Sequence, residues 1–143
     1  MNEPKKAIIH YAGDEYFIGV TPSGRALAID TKSDRNAAPT PVELLMLAVA
    51  GCTAADVASI LKKKRQDVRE YRVEISGERA SEHPRKFMTF FVKHIVTGRS
   101  VSEKALADAI ELSETKYCSV AATVRPTASI ETSFEIIEAA YED

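Results

Sequence analysis

The amino-acid sequence predicts an α+β protein organised around one long apolar helix. Three observations carry this. Residues 5–30 read as short strands separated by turn signals, and residues 40–65 read as a capped helix. From about residue 70 two longer strands, a helix and a last strand follow. Strands and helices come in runs and do not alternate regularly, which separates the chain from a βαβ architecture.

Each element has its own signal. The first two strands are expected over residues 5–12 and 15–21, with Gly13-Asp14 as the turn. Thr21-Pro22-Ser23-Gly24 marks a second turn, a third strand runs from Arg25 to Asp30, and residues 31–39 form a polar connector. Thr40 as N-cap, Pro41 at the first helical position and Glu43 three residues past the cap compose a capping box. The central helix is therefore expected over about 40–65. From Val42 to Ala50 nearly every residue is apolar, and a helix apolar all round must be buried all round. Beyond Cys52 it turns amphipathic, with Val57, Ile60 and Leu61 set against Asp56 and the run Lys62-Lys63-Lys64-Arg65. Those cations complement the C-terminal end of the helix dipole.

Tyr71, Val73 and Ile75 alternate with Arg72, Glu74 and Ser76, giving a strand with one buried face. Residues 86–96 are largely apolar on both faces, as in a central strand. Ser100 and Glu103 repeat the capping-box spacing and open a helix over about 101–116, with Ala105, Leu106, Ala109 and Ile110 on one side. Residues 117–124 are a short apolar segment carrying Cys118. The last strand spans about 127–138, with Ile130, Phe134 and Ile136 inward. A few short strands supply little cover for so apolar a helix, so a second copy of the chain, related by a two-fold axis, is expected against it.

At 143 residues the chain fits one domain, and its 45% hydrophobic and 28% charged residues are an ordinary globular balance. A net charge of −2 with no basic stripe speaks against nucleic-acid binding. Met1-Asn2-Glu3-Pro4-Lys5-Lys6 has no apolar core of signal-peptide length. The longest apolar run, Leu44 to Cys52, is shorter than the roughly 20 residues a bilayer takes. A cytoplasmic protein is expected, without membrane partners.

Two cysteines, Cys52 and Cys118, and three scattered histidines, His10, His83 and His94, show no metal-ligand spacing. In a reducing compartment a cysteine pair is rarely a structural staple, which leaves redox chemistry as its possible work. A free cysteine on an apolar helix is also a small buried hydrophobe, so that reading stands beside the functional one. Chemistry would need a thiolate, and therefore a nearby cation. Cys52 lies about 18 Å along the helix from Thr40, beyond reach of the dipole at the helix start. Arg35 and Arg25 are the candidate cations. Arg35 reaches Cys52 more easily from a partner subunit than from its own chain. Glu43 is a candidate base or orienter of an arginine, but its capping position explains it equally. Nine residues at 100° each also place it on the face opposite Cys52.

Pro39-Thr40-Pro41-Val42-Glu43-Leu44-Leu45-Met46-Leu47-Ala48-Val49-Ala50-Gly51-Cys52 resembles the central-helix signature of the OsmC/Ohr family. Lys116-Tyr117-Cys118-Ser119-Val120 resembles its second-cysteine motif, and the order of elements agrees over essentially the whole chain. Ala58-Ser59-Ile60-Leu61, Arg65-Gln66-Asp67-Val68 and Val96-Thr97-Gly98-Arg99 are most like the OsmC-like branch that stands apart from the two peroxidase branches. The resemblance implies an intertwined homodimer, with two long central helices wrapped by antiparallel sheets. It also implies a thiol-dependent peroxidase acting on organic hydroperoxides or hydrogen peroxide. Cys52 would attack the peroxide, Cys118 would resolve the sulfenic acid, and an external dithiol would restore both, with no cofactor or metal. Arg35 or Arg25, together with Glu43, would stand for the family's activating pair. In the peroxidases a glutamate directly follows the helix-start proline, and here that position is Val42. The alternative is a non-catalytic member binding a small apolar or sulfur-containing ligand at the dimer interface.

Overall fold

The computed structural model describes residues 3–141. They fall into two compact units, one ending at Leu45 and the other beginning at Met46. The first holds an antiparallel meander of β1 (Ile8–Gly13), β2 (Tyr16–Val20) and β3 (Ala26–Asp30). Gly13 pairs with Tyr16, so the tight turn is Asp14-Glu15, one residue later than the sequence predicts. Asp14 and Glu15 both take positive φ, 50° and 61°, the twist a two-residue hairpin requires.

The end of β3 orders the polar connector. The Asp30 carboxylate accepts from Arg35 Nε and Nη2, both at 2.9 Å, and from the backbone N–H groups of Lys32 and Ala37. Those donors, the Arg35 hydrogen bond foremost, hold the Asp30 carboxyl well below the usual carboxylate range. Helix α1 (Pro41–Lys63) then starts on the capping box the sequence predicts. The Thr40 N–H donates to Glu43 Oε1 at 3.0 Å, and the Glu43 N–H donates to Thr40 Oγ1 at 3.2 Å.

In the second unit a sheet of β4 (Asp67–Arg79), β5 (Phe87–Arg99) and β6 (Ser129–Glu138) carries helices on one face. One buried cluster holds Val57 and Leu61 of α1, Val96 of β5, and Ala105, Leu106, Ala109 and Ile110 of α2 (Glu103–Leu112). The predicted α+β class holds, with one difference inside it. β4 pairs antiparallel with β5 but β6 pairs parallel with it, so this sheet is mixed. Two parallel neighbours need a crossover, and α2, a wide π turn (Ser113–Tyr117) and α3 (Ser119–Val124) form it. The cap of α2 also differs from expectation. Ser102, not Ser100, accepts the Ala105 N–H. Ser100 sits at φ 51° in the turn leaving β5, where its N–H is taken by Glu138.

α1 is not buried all round within this chain. Val49, Thr53, Val57 and Leu61 form its buried stripe. The opposite side, with Leu47, Gly51, Ala55 and Ala58, is exposed. Over its full 23 residues α1 is long and apolar enough to cross a bilayer, which the run from Leu44 to Cys52 alone is not. Its buried stripe, however, packs into a protein core and carries the polar Thr53.

His94 on β5 is fully buried, shares a 2.7 Å hydrogen bond between Nδ1 and the Tyr71 hydroxyl, and has no partner at Nε2 among the described residues. Burial pushes its pKa down to about 4. The folded chain therefore keeps His94 neutral while the unfolded chain takes up a proton below about 6.5. Stability from this residue is present above that pH and lost as pH falls toward 4, by up to about 3 kcal/mol. Denaturant midpoints measured from pH 7 to 4 should fall more steeply for the wild type than for His94→Gln.

Candidate thiol site

Cys52 and Asp56 stand four residues apart on α1, one above the other on the same flank. Cys118 arrives from the far end of the crossover as the N-cap of α3, where its Sγ accepts the Ala121 N–H at 3.3 Å. The two sulfurs and a carboxylate oxygen of Asp56 all lie within 4.8 Å of one another. Cys118 is buried, while Cys52 and Asp56 are half-buried.

Ser113 is what ties the two sides together. It is fully buried, with Oγ 2.9 Å from Asp56 Oδ2 and 3.0 Å from Thr53 Oγ1. A hydroxyl has one proton, so Ser113 donates to the carboxylate and Thr53 supplies the donor of the second contact. The Cys118 N–H in turn bonds to the Ser113 carbonyl at 2.8 Å. One residue of the π turn thus fixes α1 on one side and Cys118 on the other. Glu114, the next residue, anchors the turn to β6 by a hydrogen bond from Thr132.

The electrostatics run against easy ionisation of Cys118. Burial, then the contact with Cys52 and the charge of Asp56, push its pKa up to about 11, against the opposing pull of the Ala121 N–H. A carboxylate thus stands beside the sulfurs. An open groove of about 450 Å³ continues from Asp56 past Ser59, Ile60, Leu112 and Tyr117 to Lys63 and Lys64. Part of the basic run that the sequence assigns to a solvated helix end therefore lines this groove.

Of the five residues the sequence nominates, Cys52 and Cys118 meet, while Arg25 stays in the turn before β3, where its N–H donates to Thr21 Oγ1. Arg35 and Glu43 belong to the other unit and are engaged there. Arg35 spends its fork on Asp30 and, through Nη1 and Nη2, on the Asp14 side chain and carbonyl, and its guanidinium lies over the Tyr16 ring at 5.2 Å. Glu43 closes the helix cap. Asp56 and Ser113 are the site residues that the sequence does not nominate. Asp56 carries a signal, a carboxylate one helical turn after a cysteine, but Ser113 carries none.

The chain matches the family of OsmC-like proteins over residues 32–133. It belongs to that family. Among OsmC-like relatives, Protein YhfA of Escherichia coli strain K12 is 42% identical over 123 residues, which is 86% of this chain and 91% of YhfA. A hypothetical protein from Aquifex aeolicus VF5 shares the fold at a TM-score of 0.86 and 32% identity, over 97% of this chain and 100% of that one. The OsmC-like protein from Mycoplasma pneumoniae has a TM-score of 0.81 at 12% identity, over 96% and 99% of the two chains. At that identity the likeness is one of fold alone. Membership in the OsmC-like family agrees with the resemblance of the helix and second-cysteine motifs.

Proposed function

We propose that this OsmC-like chain is a thiol-dependent redox protein that reduces organic hydroperoxides or hydrogen peroxide through Cys52 and Cys118. The proximity of the two sulfurs, within 4.8 Å although they stand 66 positions apart in sequence, is the observation that supports it. Cys52, the more exposed sulfur, attacks the distal peroxide oxygen as a thiolate. The O–O bond breaks, the alcohol or water leaves with a proton, and Cys52 becomes a sulfenic acid. The Cys118 sulfur then attacks Cys52, forming the S–S bond and releasing hydroxide, which takes a proton as water. An external dithiol returns both cysteines to thiols by exchange and is itself oxidised to a disulfide. Two free thiols and the need for a dithiol fit a reducing compartment, and we place the protein in the cytoplasm.

A second copy of the chain belongs to this reading. The uncovered side of α1 has Leu47 60% exposed, and a Cβ at Gly51 would meet none of the described residues within 4 Å. Small residues along an exposed apolar helix face let a second helix approach closely. On this reading the activating pair is Arg35 and Glu43 of the other copy. Arg35 would then give up exposed Asp14 while keeping buried Asp30.

The test is mass spectrometry of the reduced protein before and after one equivalent of cumene hydroperoxide. The expected product has lost two hydrogens per chain, mapped to a Cys52–Cys118 bond. An unchanged mass would sink the proposal. It would leave the alternative, ligand binding without turnover, which the groove beside Asp56 favours.

A further inference from the structure

We infer that Cys52, Asp56 and Cys118 together bind one thiophilic cation with a filled d shell, of the zinc type. Two sulfurs and a carboxylate oxygen are the donor set such ions take. Around a tetrahedral zinc, at about 2.3 Å from sulfur and 2.0–2.2 Å from oxygen, donors lie roughly 3.5–3.8 Å apart. Here they lie within 4.8 Å of one another, so closing on an ion asks for shifts of about 1 Å, the scale of a side-chain adjustment.

The helix supplies two donors at i and i+4, the spacing by which a single helix presents two ligands to one metal. The third, Cys118, is placed by the helix cap it forms with Ala121. The outer shell is already built. Fully buried Ser113 donates to Asp56 Oδ2, orienting the carboxylate and leaving its other oxygen for an ion. Asp56, one of the three donors, also lines the open groove past Ser59 and Lys63, from which water or a small anion would complete the set.

This site shares its sulfurs with the peroxide reading but needs none of its chemistry. A bound cation uses the sulfur electron pairs that a disulfide would use, so metal loading and disulfide formation exclude one another. The test is titration of the reduced full chain with Cd²⁺, followed by sulfur-to-cadmium charge-transfer absorption. Saturation at one Cd²⁺ per chain is expected. Cys52→Ser and Cys118→Ser should each weaken binding more than a hundredfold, and Asp56→Asn, which still accepts from Ser113, more than tenfold. Saturation at any other ratio, or Asp56→Asn binding as tightly as the wild type, overturns the inference. The wild type alone is also decisive. One equivalent of Zn²⁺ should protect both cysteines from alkylation, and alkylation at the metal-free rate refutes the site. A chain that binds the metal but ignores peroxide would sink the redox proposal only, and a peroxide-active chain that fails to bind would sink this one only.

Discussion

Replacing Cys52 by serine is expected to cut peroxide consumption in the presence of a dithiol by more than about a hundredfold, to the background of free thiol. Cys118→Ser should behave differently. It removes the resolving sulfur but not the attacking one, so without dithiol one equivalent of peroxide is consumed per chain and the product stalls as a sulfenic acid that a trapping reagent detects. The two steps should also separate by pH. Because Cys118 is pushed up to about 11, only a small fraction ionises at neutral pH. Where its attack limits turnover, the rate should therefore rise with pH above neutrality. A Cys52→Ser chain that consumes peroxide like the wild type removes the basis of the redox reading.

The second large effect is structural. Gly98→Ala is expected to destabilise the fold by about 3 kcal/mol or somewhat more, a fall in Tm of roughly 6–12 °C. Gly98 lies near the end of β5, paired with Val68 on one side and Glu138 on the other, and its carbonyl also accepts the Ala139 N–H. A Cβ there would overlap the carbonyl oxygen of Asp67 and lie 2.7 Å from Val101 Cγ2. Backbone cannot give way as a side chain can, and the sheet holds Gly98 from both sides. Gly77→Ala is the useful contrast. Its added Cβ would lie 2.7 Å and 2.8 Å from ring carbons of Phe87, and a ring can tilt, so thermal melting should show a smaller loss.

How much is legible in the sequence depends on how local each signal is. The Thr40/Glu43 box works as read because both bonds close within one turn of backbone. The same spacing at Ser100 misleads because Glu138, 38 residues away, claims the Ser100 N–H. The burial of Ala105, Leu106, Ala109 and Ile110 follows from helical periodicity alone. The parallel return of β6 does not, since it depends on where the crossover ends in space. Cys52 and Cys118 are visible as thiols, but their meeting depends on Ser113, a residue with no periodic or motif signature. Arg35 reads as a free cation because nothing local signals that Asp14 and Asp30 take its fork.

The order of elements has a consequence during synthesis. Strands β4 and β5, helix α2 and the π turn all lie between the helix that carries Cys52 and Cys118. At about 5–20 residues per second, the ribosome adds the 66 residues from Thr53 to Cys118 in roughly 3–13 s. For that interval every nascent chain carries a lone thiol whose eventual neighbour has not yet been made. Oxidants present then meet a cysteine that can pair only with the wrong partner, and β6 must still add its strand before the native site closes.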